Sequence, residues 1–174
     1  MPLRAVMLLL YRTHLLGGFA AGYLATGSVA CGTASAVFSL LPDIESPKSF
    51  IGRRLLPVSV AGKLVFGHRQ AFHSLIGAFL FAAAAHLFFG PHFSGAGVSC
   101  FAGYVSHLAL DSFNPAGVPW LWPYRKRFSF PLVETGSIAE RMVVLPGLAG
   151  IVSLLFIRGF FISVANLLKG AVIR

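Results

Sequence analysis

The sequence predicts an all-α protein, a polytopic helical bundle embedded in a membrane. Of its 174 residues, 56% are hydrophobic and only 11% are charged, and the mean hydropathy is +0.80. This composition is typical of integral membrane proteins. The apolar residues form four blocks, at 15–41, 75–89, 97–110 and 142–168. Each block is either close to the roughly 20 residues that cross a bilayer or long enough to fold into a hairpin.

The first and last blocks are interpreted as helical hairpins, with predicted turns near Thr26-Gly27-Ser28 and Arg158-Gly159. Together with the two middle blocks, they give about six membrane segments in a single integral membrane domain, 1–174. Its predicted parts are a hairpin at 13–41, a cytoplasmic motif loop at 42–72, helices at 74–90 and 97–113, a cytoplasmic loop at 114–140 and a hairpin at 141–172.

The basic residues predict the orientation of this bundle. With six segments both termini lie on one side, and of the 14 basic residues only Arg158 falls on the other side. Because basic residues concentrate in cytoplasmic loops, we expect the protein to be multi-pass with both termini cytoplasmic. We attribute the net charge of +9 to basic residues at the cytoplasmic membrane surface. We therefore expect membrane lipids as partners and no nucleic acid.

The acidic residues are scarce and gather on the same predicted face. The chain has five of them, and four of its six histidines join them at the predicted helix ends. Ionisable groups in such positions of a membrane protein are functional candidates. The acidic residues are Asp43, Glu45, Asp111, Glu134 and Glu140, and the four histidines are His14, His68, His73 and His107.

His107 and Asp111 form the clearest pair, because residues four apart on a helix share one face and can converge on one ion. The helix that carries them should end at Asn114-Pro115, since proline has no N–H and clashes with a continuing turn. The pair predicts a metal-type site at the cytoplasmic edge of the membrane. A hydrogen-bonded pair at the helix end is the alternative interpretation of the same spacing.

Three ordered motifs resemble those of the YdjM-like family of membrane-bound metal-dependent hydrolases of bacterial inner membranes. They are LPDIESPKSFIGRRL at 41–55, GHRQAFHS at 67–74 and GYVSHLALDSFNPAGVPWLWP at 103–123. Glu45 stands where the family motif has a second aspartate. The resemblance implies an inner membrane location and a metal-dependent hydrolytic activity.

The order of these residues is also distantly similar to the ligand order of zinc-dependent phospholipase C. Carried over, this similarity implies that Asp43, His73, His107 and Asp111 hold one metal ion. His14 would help to hold a second ion, which Asp111 bridges to the first. His68 lies five residues before His73 and is the alternative ligand at that position.

Imidazoles and carboxylates suit zinc, with manganese or iron as alternatives, and incomplete coordination leaves room for a water molecule. Either Glu45 or Glu134 is a candidate for proton transfer or for holding a ligand histidine, and Arg69 is a candidate for binding a phosphate. Glu140, at the start of the last hairpin, is expected to be dispensable.

Two functions follow from these features. The first is hydrolysis of a phosphoester, such as a lipid or lipid-linked headgroup, by metal-activated water. The alternative is a non-catalytic membrane protein with a structural metal site and a basic face that binds anionic lipid or a protein partner.

Overall fold

The computed structural model describes residues 3–47, 49–54, 56–57, 71–124, 126–134 and 137–172. Within these ranges the regular structure is helical and contains no β-sheet, so the predicted all-α class is confirmed. A 3₁₀ turn (Leu41–Glu45) follows the second helix, and a π-helical turn (Glu140–Val144) leads into the last one. The α-helices with complete bounds among the described residues are α1 (Leu3–Thr26), α2 (Val29–Phe38), α3 (Leu75–Phe89), α4 (Ala96–Ser112) and α5 (Leu145–Val172).

Helices α1 and α2 form the first hairpin, and the chain reverses between them at Gly27 and Ser28. Gly27 has a φ of +68°, a left-handed conformation that glycine adopts without steric cost. The Ser28 side chain then accepts a hydrogen bond from the backbone N–H of Cys31 and caps α2. The turn lies where the sequence predicts it. However, α1 begins well before the predicted start at residue 13, because residues 3–12 are mostly strong helix formers without glycine or proline.

Helices α3 and α4 lie within one residue of the predicted ranges 74–90 and 97–113. The Ser74 side chain accepts a hydrogen bond from the Gly77 N–H and so caps the start of α3. At the end of α4, the following loop folds back over the last turn. The backbone N–H of Phe130 donates to the Ser112 carbonyl at 2.7 Å, so the loop satisfies a carbonyl that the helix leaves without a partner.

Small residues allow α1, α2 and α4 to pack very closely. A Cβ atom added at Gly18 or Gly22 of α1 would crowd Ser35 of α2, and one added at Gly103 of α4 would overlap the Ser35 carbonyl oxygen. The Ser39 hydroxyl, just after α2, donates to the His14 carbonyl at 2.9 Å. Close backbone approach through glycine and serine is the usual way in which helices associate in a membrane.

Tyr104 of α4 fixes the segment that precedes α3. Its ring is fully buried in the hydrophobic core, and its hydroxyl donates a hydrogen bond to the Phe72 carbonyl. A buried tyrosine hydroxyl needs such a partner, so this contact fixes the position of Phe72 relative to α4, just before α3 begins. The core around this ring consists of Ala78, Tyr104, Leu108 and Val118.

The predicted second hairpin is wrong, because α5 continues without interruption through Arg158 and Gly159. A single glycine costs a helix only about 1 kcal/mol, and no proline accompanies it here. Gly159 has a packing role instead, since a Cβ atom at this position would collide with the Tyr23 hydroxyl of α1. The pattern that suggested a turn therefore marks a close contact between two helices.

One segment among the described residues, Glu140–Gly159, is both long and apolar enough to cross a membrane. Helix α3 is strongly apolar but has only 15 residues, which is short for a bilayer core of about 30 Å. Several large side chains of α3 and α5 are exposed, as expected of a lipid-facing surface. They include Phe79, Leu80, Leu87, Phe88, Leu154 and Phe161. Six membrane segments are therefore not confirmed, and the last two of them form one continuous helix.

The continuous α5 changes the expected position of the C-terminus. Twenty residues from Glu140 to Gly159 rise by about 30 Å, enough to cross the bilayer once. We therefore expect reporters of cytoplasmic and periplasmic location to give opposite signals when fused after Ser137 and after Arg174. The same signal at both positions would contradict a single crossing and support the hairpin.

The close contact at Gly103 should be sensitive to a single methyl group. In Gly103→Ala the added Cβ meets the backbone of α2, so the helices must separate, and we expect a loss of about 1–3 kcal/mol in stability and a lower yield of folded protein. Gly150→Ala is the matched control, because a Cβ at this position of α5 meets nothing within 4 Å. Thermal unfolding in detergent measures both variants, and equal midpoints would disprove the tight contact.

Candidate metal centre

Five of the predicted site residues meet at one end of the bundle. His14 lies within α1, Asp43 in the 3₁₀ turn, His73 just before α3, and His107 and Asp111 in the last turns of α4. The three imidazoles are 3%, 1% and 0% exposed in chain order, and Asp111 is 9% exposed. Four separate parts of the chain thus place nitrogen and carboxylate ligands in one largely enclosed cluster.

Asp111 is central to this cluster. Its Oδ1 lies 3.5 Å from Nε2 of His14, while its Oδ2 lies 3.7 Å from Nε2 of His73 and 3.5 Å from Nε2 of His107. Asp43 adds a second carboxylate, with Oδ1 3.9 Å from Nε2 of His73. The two oxygens of Asp111 therefore face different histidines, as a bridging carboxylate would.

These separations are too long for hydrogen bonds, which join N–H and O at about 2.7–3.2 Å. They suit two ligands of a common ion, because two atoms each bound at about 2.0–2.1 Å in tetrahedral geometry lie about 3.4 Å apart. The ligand atoms of His14, His107 and Asp111 lie within 4.8 Å of one another, as do those of Asp43, His73 and His107. The described residues therefore provide two overlapping groups that can bind a metal.

His107 is held in the orientation that a metal ligand needs. Its Nδ1 lies 2.7 Å from the Ser39 carbonyl oxygen, and because a carbonyl can only accept, Nδ1 carries the proton and donates it. In the neutral ring Nε2 then has a lone pair, and this atom is buried without a hydrogen-bond partner within the described part of the chain. This hydrogen bond to a backbone carbonyl is the usual support of a metal-binding histidine.

Glu45 lies beside the ring of His73. Nδ1 of His73 lies 3.2 Å from Oε1 of Glu45, whose side chain is fully buried, and Nε2 of the same ring faces Asp43 and Asp111. The structure thus brings Glu45, one of the two candidates for holding a ligand histidine, next to His73. Glu134, the other candidate, is exposed.

Two predicted site residues, His68 and Arg69, lie outside the described residues. The position of His73 inside the cluster supports His73 as the ligand, and the structure gives no position for His68 to compare with it. The binding of phosphate by Arg69 stays a prediction.

Glu140 lies beside the cluster, although its place in the sequence suggested that it is dispensable. It is 6% exposed, and the Thr13 hydroxyl donates to its Oε1 at 2.8 Å. Glu140, Thr13, His14 and Asp111 all line the same small cavity. The available signal was the scarcity of acids, since Glu140 is one of only five and begins a long apolar segment. Its contact with Thr13 could not be read from the sequence, because 127 positions separate the two residues.

The chain matches a family model described as YdjM inner membrane protein over residues 8–171. The inner membrane protein YdjM of Escherichia coli strain K12 is 41% identical over 113 residues, which cover 61% of this chain and 57% of that protein. The protein of the same name from Shigella flexneri gives the same values. This chain therefore spans just over half the length of these two relatives.

A third relative is the uncharacterized protein YvsG of Bacillus subtilis strain 168, 33% identical over 139 residues, which cover 76% of this chain and 86% of that protein. No solved structure is significantly similar to this chain. The family match covers nearly the whole chain, and it includes all five residues of the cluster and Glu140. The chain belongs to the YdjM family of inner membrane proteins.

Proposed function

We propose that this protein is a metal-dependent hydrolase of the inner membrane that cleaves a phosphoester, such as a lipid or lipid-linked headgroup. The observation that carries the proposal is the position of Asp111, with one oxygen toward His14 and the other toward His73 and His107. A carboxylate placed between two groups of ligands is suited to a pair of ions. Such pairs are common in enzymes that hydrolyse phosphoesters.

The donor set fits divalent metals of the first transition series. Asp43, His73, His107 and Asp111 would hold one ion, and His14 with Asp111 would help to hold the second. The unpartnered Nε2 atoms of His73 and His107 are buried in this cluster, where an imidazole nitrogen without a partner is costly unless an ion binds it. We favour zinc, with manganese or iron as alternatives, because neutral imidazoles and carboxylates suit all three.

When bound, the ions would polarise a phosphoryl oxygen and make a nearby water molecule more acidic. The protein's contribution is to fix the ligands before the substrate arrives. The Ser39 carbonyl holds the ring of His107, Glu45 lies against Nδ1 of His73, and burial keeps bulk water away from both. Such preorganised groups stabilise developing charge more strongly than water does.

The surroundings of the site favour an amphipathic anionic substrate. Arg12 lies two residues before His14 in the sequence and is exposed, as are Arg53 and Arg54 in the loop that follows Asp43. Arg54 also covers the ring of Phe50, which stacks on Tyr11 of α1 and so ties this loop to the helix that carries His14. Exposed cations near a cytoplasmic membrane surface attract phosphate headgroups.

One observation favours the alternative function, a structural metal site without catalysis. Because His73 and His107 are almost completely buried, an ion held there would be enclosed on most sides. Structural metal sites are closed, whereas catalytic sites keep one position open for water or substrate. The basic face would then recruit anionic lipid or a protein partner.

Metal content tests the ligand assignment directly. We expect about two ions per chain in protein purified in detergent, about one in His14→Asn, and a much larger loss in Asp111→Asn, because only Asp111 would contact both ions. His92→Asn, in the exposed loop between α3 and α4, is the control and should keep both ions. Full metal content in a folded Asp111→Asn protein would disprove the bridging role.

Hydrolysis separates the two functions. We expect the zinc- or manganese-loaded protein to release 4-nitrophenol from 4-nitrophenyl phosphate esters, and chelation to abolish this release. Asp111→Asn should lose activity and metal together, whereas His92→Asn should keep both. A protein that binds its metal fully but hydrolyses neither phosphomonoesters nor phosphodiesters, including phospholipid headgroups in mixed micelles, would favour the structural role.

A further inference from the structure

Glu140 has the position of a reacting group, although neither the motifs nor the proposed ligand set includes it. Its carboxylate is buried at the beginning of the membrane-crossing segment, within a π-helical turn. Turns of this kind are rare and frequently occur at functional sites. The Thr13 hydroxyl donates to one carboxylate oxygen at 2.8 Å, and Thr13 is the neighbour of His14 in the chain.

A small cavity connects Glu140 to the metal cluster. Its volume is about 50 Å³, and its polar lining comes from Thr13, His14, Asp111 and Glu140. A cavity needs only about 10–15 Å³ to hold a water molecule, provided that polar groups are present to bind it. The remaining walls are apolar and are formed by Leu110, Phe113, Val133 and Val144.

His14 supplies a second, independent indication that something binds in this cavity. The residue is 3% exposed, and its Nδ1 atom has no hydrogen-bond partner within the described residues. A buried polar atom of this kind in a native protein usually has a water molecule or an ion beside it. Since His14 also lines the cavity, a water molecule bound there would have His14 and Glu140 among its neighbours.

We propose that Glu140 is a catalytic residue that takes the proton from the attacking water and returns it to the leaving group. The water oxygen forms a new bond to phosphorus while its proton moves to the Glu140 carboxylate. The bond between phosphorus and the ester oxygen then breaks, and that oxygen receives the proton from Glu140. The overall reaction consumes one water and releases a phosphate and an alcohol, so no further reactant is required.

Thr13 acts in this proposal as a positioning residue. Its hydrogen bond to Oε1 holds the carboxylate beside the cavity that both residues line. Thr13→Val removes only this hydrogen-bond donor and leaves the carboxylate of Glu140 in place. It should therefore affect the reaction much less than a change of Glu140 itself. General bases of this type contribute about 10²–10⁴-fold to a rate.

The test compares Glu140→Gln with the unmodified protein on phenyl and 4-nitrophenyl phosphate esters. We expect a fall in kcat of about 100-fold or more on the phenyl ester and a smaller fall on the 4-nitrophenyl ester, whose leaving group needs no proton. Metal content should be unchanged, and Glu140→Asp should restore part of the activity. Ser153→Ala, on the exposed side of α5, is the control for effects on the helix.

Each contrary outcome has a definite meaning. Loss of metal from Glu140→Gln would make Glu140 a ligand, and an equal loss of rate on both esters would make its role structural, so either result overturns the proposal. An unchanged rate overturns it as well. The inference rests on the proposed function: if the unmodified metal-loaded protein hydrolyses no ester, both fail, whereas activity that survives in Glu140→Gln refutes this inference alone.

Discussion

The cluster depends on one hydrogen bond, from Nδ1 of His107 to the Ser39 carbonyl. This bond fixes the tautomer and the ring of His107, and through the ring it fixes the direction of the lone pair on Nε2. Ser39 follows α2 and His107 lies in α4, so the bond exists only if the two helices approach very closely. Gly103, one turn before His107, makes that approach possible because it has no side chain to meet the Ser35 carbonyl.

The need for close helix contacts also explains why the bundle combines an apolar exterior with a polar interior. Serine hydroxyls and glycines fill the contacts between α1, α2 and α4, and the Ser39 hydroxyl also binds the carbonyl of His14. Packing of this kind gains little from the hydrophobic effect between helices, since lipid is equally apolar, and depends on close fit and hydrogen bonds. The positions of His14 and His107 are thus coupled through Ser39, and their rings stack with centroids 3.9 Å apart.

The local parts of this arrangement could be predicted from the sequence. The spacing of His107 and Asp111 places both on one helical face, Asn114-Pro115 ends α4, and Thr26-Gly27-Ser28 reverses the chain, because each depends on nearby residues only. The position of His14 was suggested by similarity of residue order. Long-range contacts were out of reach: nothing in the spacing reveals that Glu45 rather than Glu134 contacts His73.

Two expectations missed a contact for the same physical reason. Glycine at position 159 was wrongly interpreted as a turn, and the expectation that Glu140 is dispensable left out its contact with Thr13, because a sequence does not reveal which neighbour a residue meets in the folded protein. In the structure Gly159 makes room for Tyr23, and Glu140 lies against Thr13. Both neighbours belong to α1, whose position beside α5 was not part of the six-segment interpretation. Correct placement of α5 along α1 explains both residues.

Charge balance is the strongest physical reason to expect a cation in the cluster. Asp111 is 9% exposed, and its ion-pair partners among the described residues are three imidazoles, which carry charge only when protonated. Asp43 adds a second carboxylate to the same group. Burying an ionised carboxylate without a compensating charge costs several kcal/mol, and Coulomb repulsion between two of them adds to this cost.

Protonated imidazoles would supply the missing positive charge only by giving up the lone pairs on Nε2. A divalent cation supplies it while using those lone pairs, and it suits separations of 3.5–3.9 Å that are too long for hydrogen bonds.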